Sequence, residues 1–117
     1  TYSDGEQKRD FIYVKDAVEM TIFFGENPII NGIYNIGTGK ANSFNNLVKP
    51  IFKALALKEN IEYFDMPEGL VNKYQNFTQA DISKIKKAGY IKNMFDVEEA
   101  VKDYVLNYLN KDYSFLN

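Results

Sequence analysis

Two stretches of the chain carry side chains that could grip a polar ligand. The first is Lys8-Arg9-Asp10-Phe11-Ile12-Tyr13-Val14-Lys15-Asp16, where two cations stand at the point at which a polar loop enters an apolar segment. Arginine presents a rigid fork that meets phosphate or carboxylate oxygens two at a time, whereas lysine acts as a point charge. The competing reading is structural: Arg9 pairs with Asp10, Asp16 or another carboxylate and anchors the loop. The second stretch is Tyr74-Gln75-Asn76-Phe77-Thr78-Gln79, which sets amide and hydroxyl groups beside aromatic rings. Such a mixture suits a ribose, a sugar or an adenine, and its alternative is an aromatic loop packed on the surface. Gly37-Thr38-Gly39-Lys40 precedes a helix but lacks the Walker spacing and the six-residue glycine fingerprint, so it reads as a strand-to-helix turn.

Other chemistry is excluded by composition. The 117 residues include no histidine and no cysteine. A Ser-His-Asp triad, a thiol nucleophile, a disulfide, and zinc or haem held by His or Cys are therefore ruled out. The glycines at 5, 25, 32, 37, 39, 69 and 89 form neither G-x-x-G-x-x-G nor G-x-G-x-x-G, and none of the nine tyrosines has a lysine four positions on. The chain thus contains neither a dinucleotide fingerprint nor a Tyr-x-x-x-Lys acid/base pair. Asp16, Asp81, Asp96 and Glu99 are all explained as helix caps, which leaves no catalytic dyad. With 14 basic and 16 acidic residues the net charge is −2, which argues against a nucleic-acid partner. No apolar run reaches the ~18 residues that span a bilayer, so no membrane partner is expected. The absence of cysteine fits a cytoplasmic protein. Thr1 stands where an initiator Met would, ahead of a polar stretch, and the expectation is a piece of a longer chain.

These side chains need elements to hold them. Phe11 to Val14 reads as a strand, after which Asp16 offers an N-cap with Glu19 completing a capping box. Val14, Val18, Thr21, Ile22 and Gly25 keep helical spacing up to Asn27-Pro28. Ile33 to Ile36 reads as a second strand. Ser43 caps a helix through Leu55, which Pro50 should bend. Ile61 to Phe64 reads as a third strand. Thr78 with Asp81 forms a weaker capping pair for a basic helix from Asp81 to Ala88, stopped by Gly89. Asp96 and Glu99 form a capping box for an amphipathic last helix. The order predicts an α/β arrangement, small and helix-rich, packed on something larger.

R-D-F-I-Y-V-K-D at 9–16 resembles the Arg-Asp/Glu-Phe-Val-Tyr-Val-x-Asp signature of the extended short-chain dehydrogenase/reductases. In that family it opens the C-terminal part of nucleotide-sugar epimerases and dehydratases. G-I-Y-N-I-G-T-G at 32–39 is similar to the Gly-x-Tyr/Phe-Asn-Leu-Gly-Thr-Gly stretch that follows there. K-Y-Q-N-F-T-Q-A-D at 73–81, with A-G-Y at 88–90, resembles the members that epimerise an ADP-sugar. The resemblance implies that residues 1–117 are the substrate-binding domain of such an epimerase without its Rossmann half. NADP and the acid/base Tyr and Lys would belong to that N-terminal half, so this chain would hold no catalytic and no cofactor-binding residue, and alone would be inactive. Arg9 and Tyr74 match the family's substrate-contacting Arg and Tyr. Gln75 is added for its position beside Tyr74, and Thr1, Tyr2, Ser3 and Asp4 for the loop before Arg9. The implied partners are the ADP-sugar, the chain's own N-terminal domain and further copies in a homo-oligomer. Other UDP- or GDP-sugar epimerases or dehydratases, and a non-catalytic interaction module, are the alternatives. An isolated lobe would leave an apolar face open, so it should self-associate.

Overall fold

The computed structural model describes residues 4–111. A short strand β1 (Lys8–Arg9) is followed by helix α1 (Val14–Glu26), strand β2 (Asn42–Ser43) and helix α2 (Phe44–Ala54). Then come three shorter helices, α3 (Glu68–Val71), α4 (Ser83–Lys87) and α5 (Val97–Tyr104), the last continuing into a π-helical turn at Val105–Leu109. Helices dominate, and β1 and β2 pair antiparallel, with Lys8 opposite Ser43 and Arg9 opposite Asn42.

The three strands expected at Phe11–Val14, Ile33–Ile36 and Ile61–Phe64 form no ladder among the described residues. An apolar, extended run becomes a strand where a second edge accepts its backbone groups, and none of the described segments offers one. Ile33 and Phe64 are accordingly 89% and 80% exposed. The sequence pattern marks segments shaped for pairing; the partner edge is what these described residues do not provide.

The helices follow their local signals more closely. Ser43 Oγ accepts the Asn46 amide at 3.2 Å and starts α2 where expected. That helix runs through Pro50 without interruption, although Pro50 supplies no amide for it. Asp96 and Glu99 form the full capping box of α5. At the end of α4 the Gly89 amide bonds Lys86 O (3.0 Å) and the Tyr90 amide bonds Ile85 O (3.2 Å). This double closure needs a left-handed residue, and Gly89 supplies it at φ +106°.

Two expected caps are corrected. Helix α1 starts earlier, because the Ala17 amide already closes on Tyr13 O at 3.0 Å, which makes Tyr13 the N-cap. Asp16 lies in the first turn instead, turned inward and buried, and accepts the Phe95 amide at 3.0 Å. The Thr78–Asp81 pair does not cap α4 either. Asp81 accepts the Ser83 amide (2.9 Å) ahead of the helix, while the Thr78 amide bonds Lys8 O (3.1 Å).

Met20, Ile82, Ile85 and Tyr90 form the core, with Phe23, Phe24 and Tyr34 packed against it. Met20 and Ile85 are the largest fully buried side chains. Helix α1 therefore turns Asp16, Met20, Phe23 and Phe24 inward. Its Val14, Val18 and Ile22 stripe faces out, about half exposed, as does Ile29 at 93%. A second packing layer joins α2 to α5 and buries Val101 and Val105. Tyr13 ties this layer to α1. Its ring meets Phe95 edge-on at 5.3 Å, and its hydroxyl donates to Asp103 Oδ2 at 2.6 Å. Lys15 Nζ donates to the same oxygen at 2.6 Å, and Asn107 Nδ2 to Oδ1 at 2.7 Å.

Candidate functional site

Strand β1 is the middle of three adjacent segments. On one side lies β2; on the other, the Lys8 amide donates to Asn76 O (2.8 Å) and Lys8 O accepts the Thr78 amide (3.1 Å). This parallel contact brings the loop carrying Tyr74 alongside Arg9, although the two are far apart in sequence. The Arg9 guanidinium carbon lies 5.0 Å from the centre of the Tyr74 ring, and Nη1 donates to Lys8 O at 2.9 Å. The two residues that the sequence singled out in separate stretches are thus brought together.

The structural alternative would pair Arg9 with a carboxylate. Among the described residues no carboxylate forms an ion pair with it; the pairs are Lys15–Asp103, Lys53–Glu98 and Lys92–Glu19. Asp16 is committed to Phe95, and Asp10 to a different task. Asp10 Oδ1 accepts the amide (2.8 Å) and hydroxyl (2.5 Å) of Thr38, while Oδ2 accepts the amides of Gly39 (2.8 Å) and Ala80 (3.0 Å). Burial works to raise the pKa of this carboxyl, but the hydrogen bonds from Thr38, Ala80 and Gly39 outweigh it and hold it below the ordinary value. Arg9 keeps a charge turned toward an aromatic face and paired with no acid among the described residues, which suits an arriving anion.

Asp10 also decides what the Gly37-Thr38-Gly39 turn can do. The amides that could have cradled a phosphate already donate to Asp10, so the turn serves as a structural clasp. Local reading missed this role of Asp10; the signal was an acid on one short segment facing a glycine turn and the 78–80 segment, a match visible only once the segments meet.

The other expected residues are placed as follows. Gln75 sits on the same loop as Tyr74 with its side chain exposed. Asp4 closes a turn: its carboxylate accepts the Glu6 amide (3.0 Å) and its carbonyl accepts Asn45 Nδ2 (2.8 Å). Thr1, Tyr2 and Ser3 lie outside the described residues. A cavity of about 750 Å³, lined among others by Met20, Ile85, Tyr90, Lys40 and Lys86, lies elsewhere, and neither Arg9 nor Tyr74 lines it. We place the candidate site at Arg9 and Tyr74 and not at this cavity, because an arginine held on an aromatic ring, with no acid partner among the described residues, has the chemistry to bind an anion, and volume alone does not.

Residues 1–37 match the NAD dependent epimerase/dehydratase family. The chain is 47% identical to an ADP-L-glycero-D-manno-heptose-6-epimerase of Fusobacterium nucleatum subsp. nucleatum, over 98% of this chain and 36% of that protein. It is 48% identical to an enzyme of the same name from Nitratidesulfovibrio vulgaris, over 92% of this chain and 33% of that protein. The chain thus spans about a third of the length of the curated relatives it matches. Among solved structures, a UDP-N-acetylglucosamine 4-epimerase from Methanobrevibacter ruminantium, in complex with UDP-N-acetylmuramic acid, superimposes with a TM-score of 0.73 at 32% identity. That match covers 90% of this chain and 32% of the other. An NAD dependent NDP-hexosamine 5,6-dehydratase of tunicamycin biosynthesis gives 0.72 at 21% identity, covering 96% and 35%, which bears on the fold alone. Similarity to these enzymes thus extends over nearly the whole chain, and the match to the NAD dependent epimerase/dehydratase family falls on the segment that carries Arg9.

Proposed function

We propose that residues 1–117 form the substrate-binding domain of an ADP-heptose 6-epimerase. In this reading an N-terminal Rossmann domain outside this sequence carries NADP and the acid/base Tyr and Lys. The intact, cytoplasmic and homo-oligomeric enzyme converts ADP-D-glycero-manno-heptose to ADP-L-glycero-manno-heptose by inverting C6″ through a transient 6″-keto intermediate, for lipopolysaccharide core synthesis. The cofactor supplies the redox chemistry; this chain's contribution is grip.

The observation that carries the reading is Arg9 resting on Tyr74 with no carboxylate partner among the described residues. A sugar-nucleotide diphosphate bears about two negative charges, and a hydrogen bond to a charged group contributes roughly 1.5–3 kcal/mol. Arg9 would hold the diphosphate, with Tyr74 beside the nucleotide or sugar and Gln75 next to it. The outward stripe of Val14, Val18 and Ile22, with Ile29 and Ile33, supports a covering partner, for which the Rossmann domain is the proposed occupant. Arg9→Ala in the intact enzyme should raise KM roughly ten- to hundredfold. Unchanged KM and kcat would remove Arg9 from the site. The 117-residue chain mixed with NADP and ADP-heptose should show no turnover.

A second reading, a UDP- or GDP-sugar epimerase or dehydratase, is favoured by the 32% identity to a UDP-N-acetylglucosamine 4-epimerase. Competition among ADP-, UDP- and GDP-sugars for the intact protein separates the two.

A further inference from the structure

The β1–β2 ladder that presents Arg9 is two residues long on each strand. So short a pairing does not fix its own register, and a slip of one residue would turn Arg9 to the opposite face, away from Tyr74. Beside and after it, Lys8 is held to Asn76 and Thr78 and Asp10 to Thr38, Gly39 and Ala80; ahead of it, the hold comes from α2. The first amides of α2 have no partner within their own helix. Here Phe44 N donates to Gln7 O (3.2 Å) and Asn45 N to Gly5 O (3.1 Å), so the loop before β1 caps the helix.

The Asn45 side chain completes the joint. It is 9% exposed and uses both ends of its amide. Nδ2 donates to Asp4 O (2.8 Å) and Glu6 Oε1 (2.5 Å), and Oδ1 accepts the Tyr63 hydroxyl (2.8 Å). Gly5 passes so close, at φ +71°, that a Cβ there would collide with Asn45 Oδ1. Three chain segments, 4–6, 45 and 63, therefore meet at one side chain just ahead of Arg9.

We infer that Asn45 is a positioning residue that locks the register of β1 and thereby aims Arg9 at its anionic ligand. This rests on the reading of Arg9 given above, but the lock itself does not. The acceptor of Tyr63 survives in Asn45→Asp, while both donors are lost and a carboxylate is set against Glu6. Tyr63→Phe is the milder variant if the first fails to fold.

In the intact protein, amide hydrogen exchange across residues 5–9 should speed up about tenfold or more in either variant, with α5 unchanged. KM for the sugar nucleotide should rise roughly tenfold in Asn45→Asp with kcat changing less. In an Arg9→Ala background the same substitution should add nothing to KM, because its effect passes through Arg9. Unaltered exchange over residues 5–9 would overturn the lock. Penalties that add in the double variant would overturn the positioning role. If Arg9→Ala alone leaves KM unchanged, the proposed function of Arg9 fails and the positioning role with it, while the exchange rates still decide the lock.

Discussion

The Arg9 guanidinium and the Tyr74 ring, 5.0 Å apart, belong to segments joined by the backbone bonds of Lys8 to Asn76 and Thr78. The ring face, more than the hydroxyl, holds the cation. Tyr74→Phe should therefore keep KM of the intact enzyme within about twofold. Tyr74→Leu should raise it roughly two- to fivefold, the equivalent of the ~0.5–1 kcal/mol of a partly exposed cation–π contact. Equal effects of the two variants would transfer the role to the hydroxyl.

Asp10 gathers four hydrogen bonds from Thr38, Gly39 and Ala80. In Asp10→Asn an NH2 must face at least one of those amides, donor against donor. Stability should fall by about 2 kcal/mol or more, measured by urea unfolding. A loss below about 0.5 kcal/mol would show that the clasp is not needed.

Met20 is fully buried among Ile82, Ile85 and Tyr90. Met20→Ala removes those contacts and leaves a void, so unfolding free energy should drop by about 2–5 kcal/mol. Val18→Ala, on the outward stripe of the same helix, should change it by well under 1 kcal/mol in the 117-residue chain.

Hydrogen bonds from Lys15, Tyr13 and Asn107 pull the Asp103 pKa down to about 2. Tyr13 is pushed up to about 12, first by burial and then by its bond to Asp103. A carboxyl depressed in the folded state contributes stability above its unfolded pKa of ~3.9, lost as pH falls toward 2. Asp16 has the opposite sign, since burial raises its pKa despite the Phe95 amide. The drop in melting temperature between pH 4 and pH 2 should be smaller in Asp103→Asn than in the parent protein. An identical drop would mean that Asp103 is not a source of the acid sensitivity.

Val14, Val18, Ile22, Ile29 and Ile33 form an outward apolar surface. At high concentration the 117-residue chain should self-associate in sedimentation, and Val18→Glu with Ile33→Lys should shift it toward monomer. A parent chain that stays monodisperse and monomeric would contradict this.

By itself the sequence determined the features whose causes are local. Ser43, the Asp96–Glu99 box and Gly89 act within three or four residues of themselves, and helix starts and stops appeared at those positions. It also brought out Arg9 and Tyr74, since fork-shaped cations and polar-aromatic loops are recognisable by residue type. Whatever depended on a distant edge was decided by the tertiary structure. The three apolar runs form no ladder among the described residues because pairing needs a second backbone, and Asp16 turns to Phe95 because the helix could start at Tyr13 without it. Asp10 chose the Thr38–Gly39 turn over Arg9 because three amides converge on it only after folding. That choice left the Arg9 charge to the Tyr74 ring, and no local pattern could have shown it.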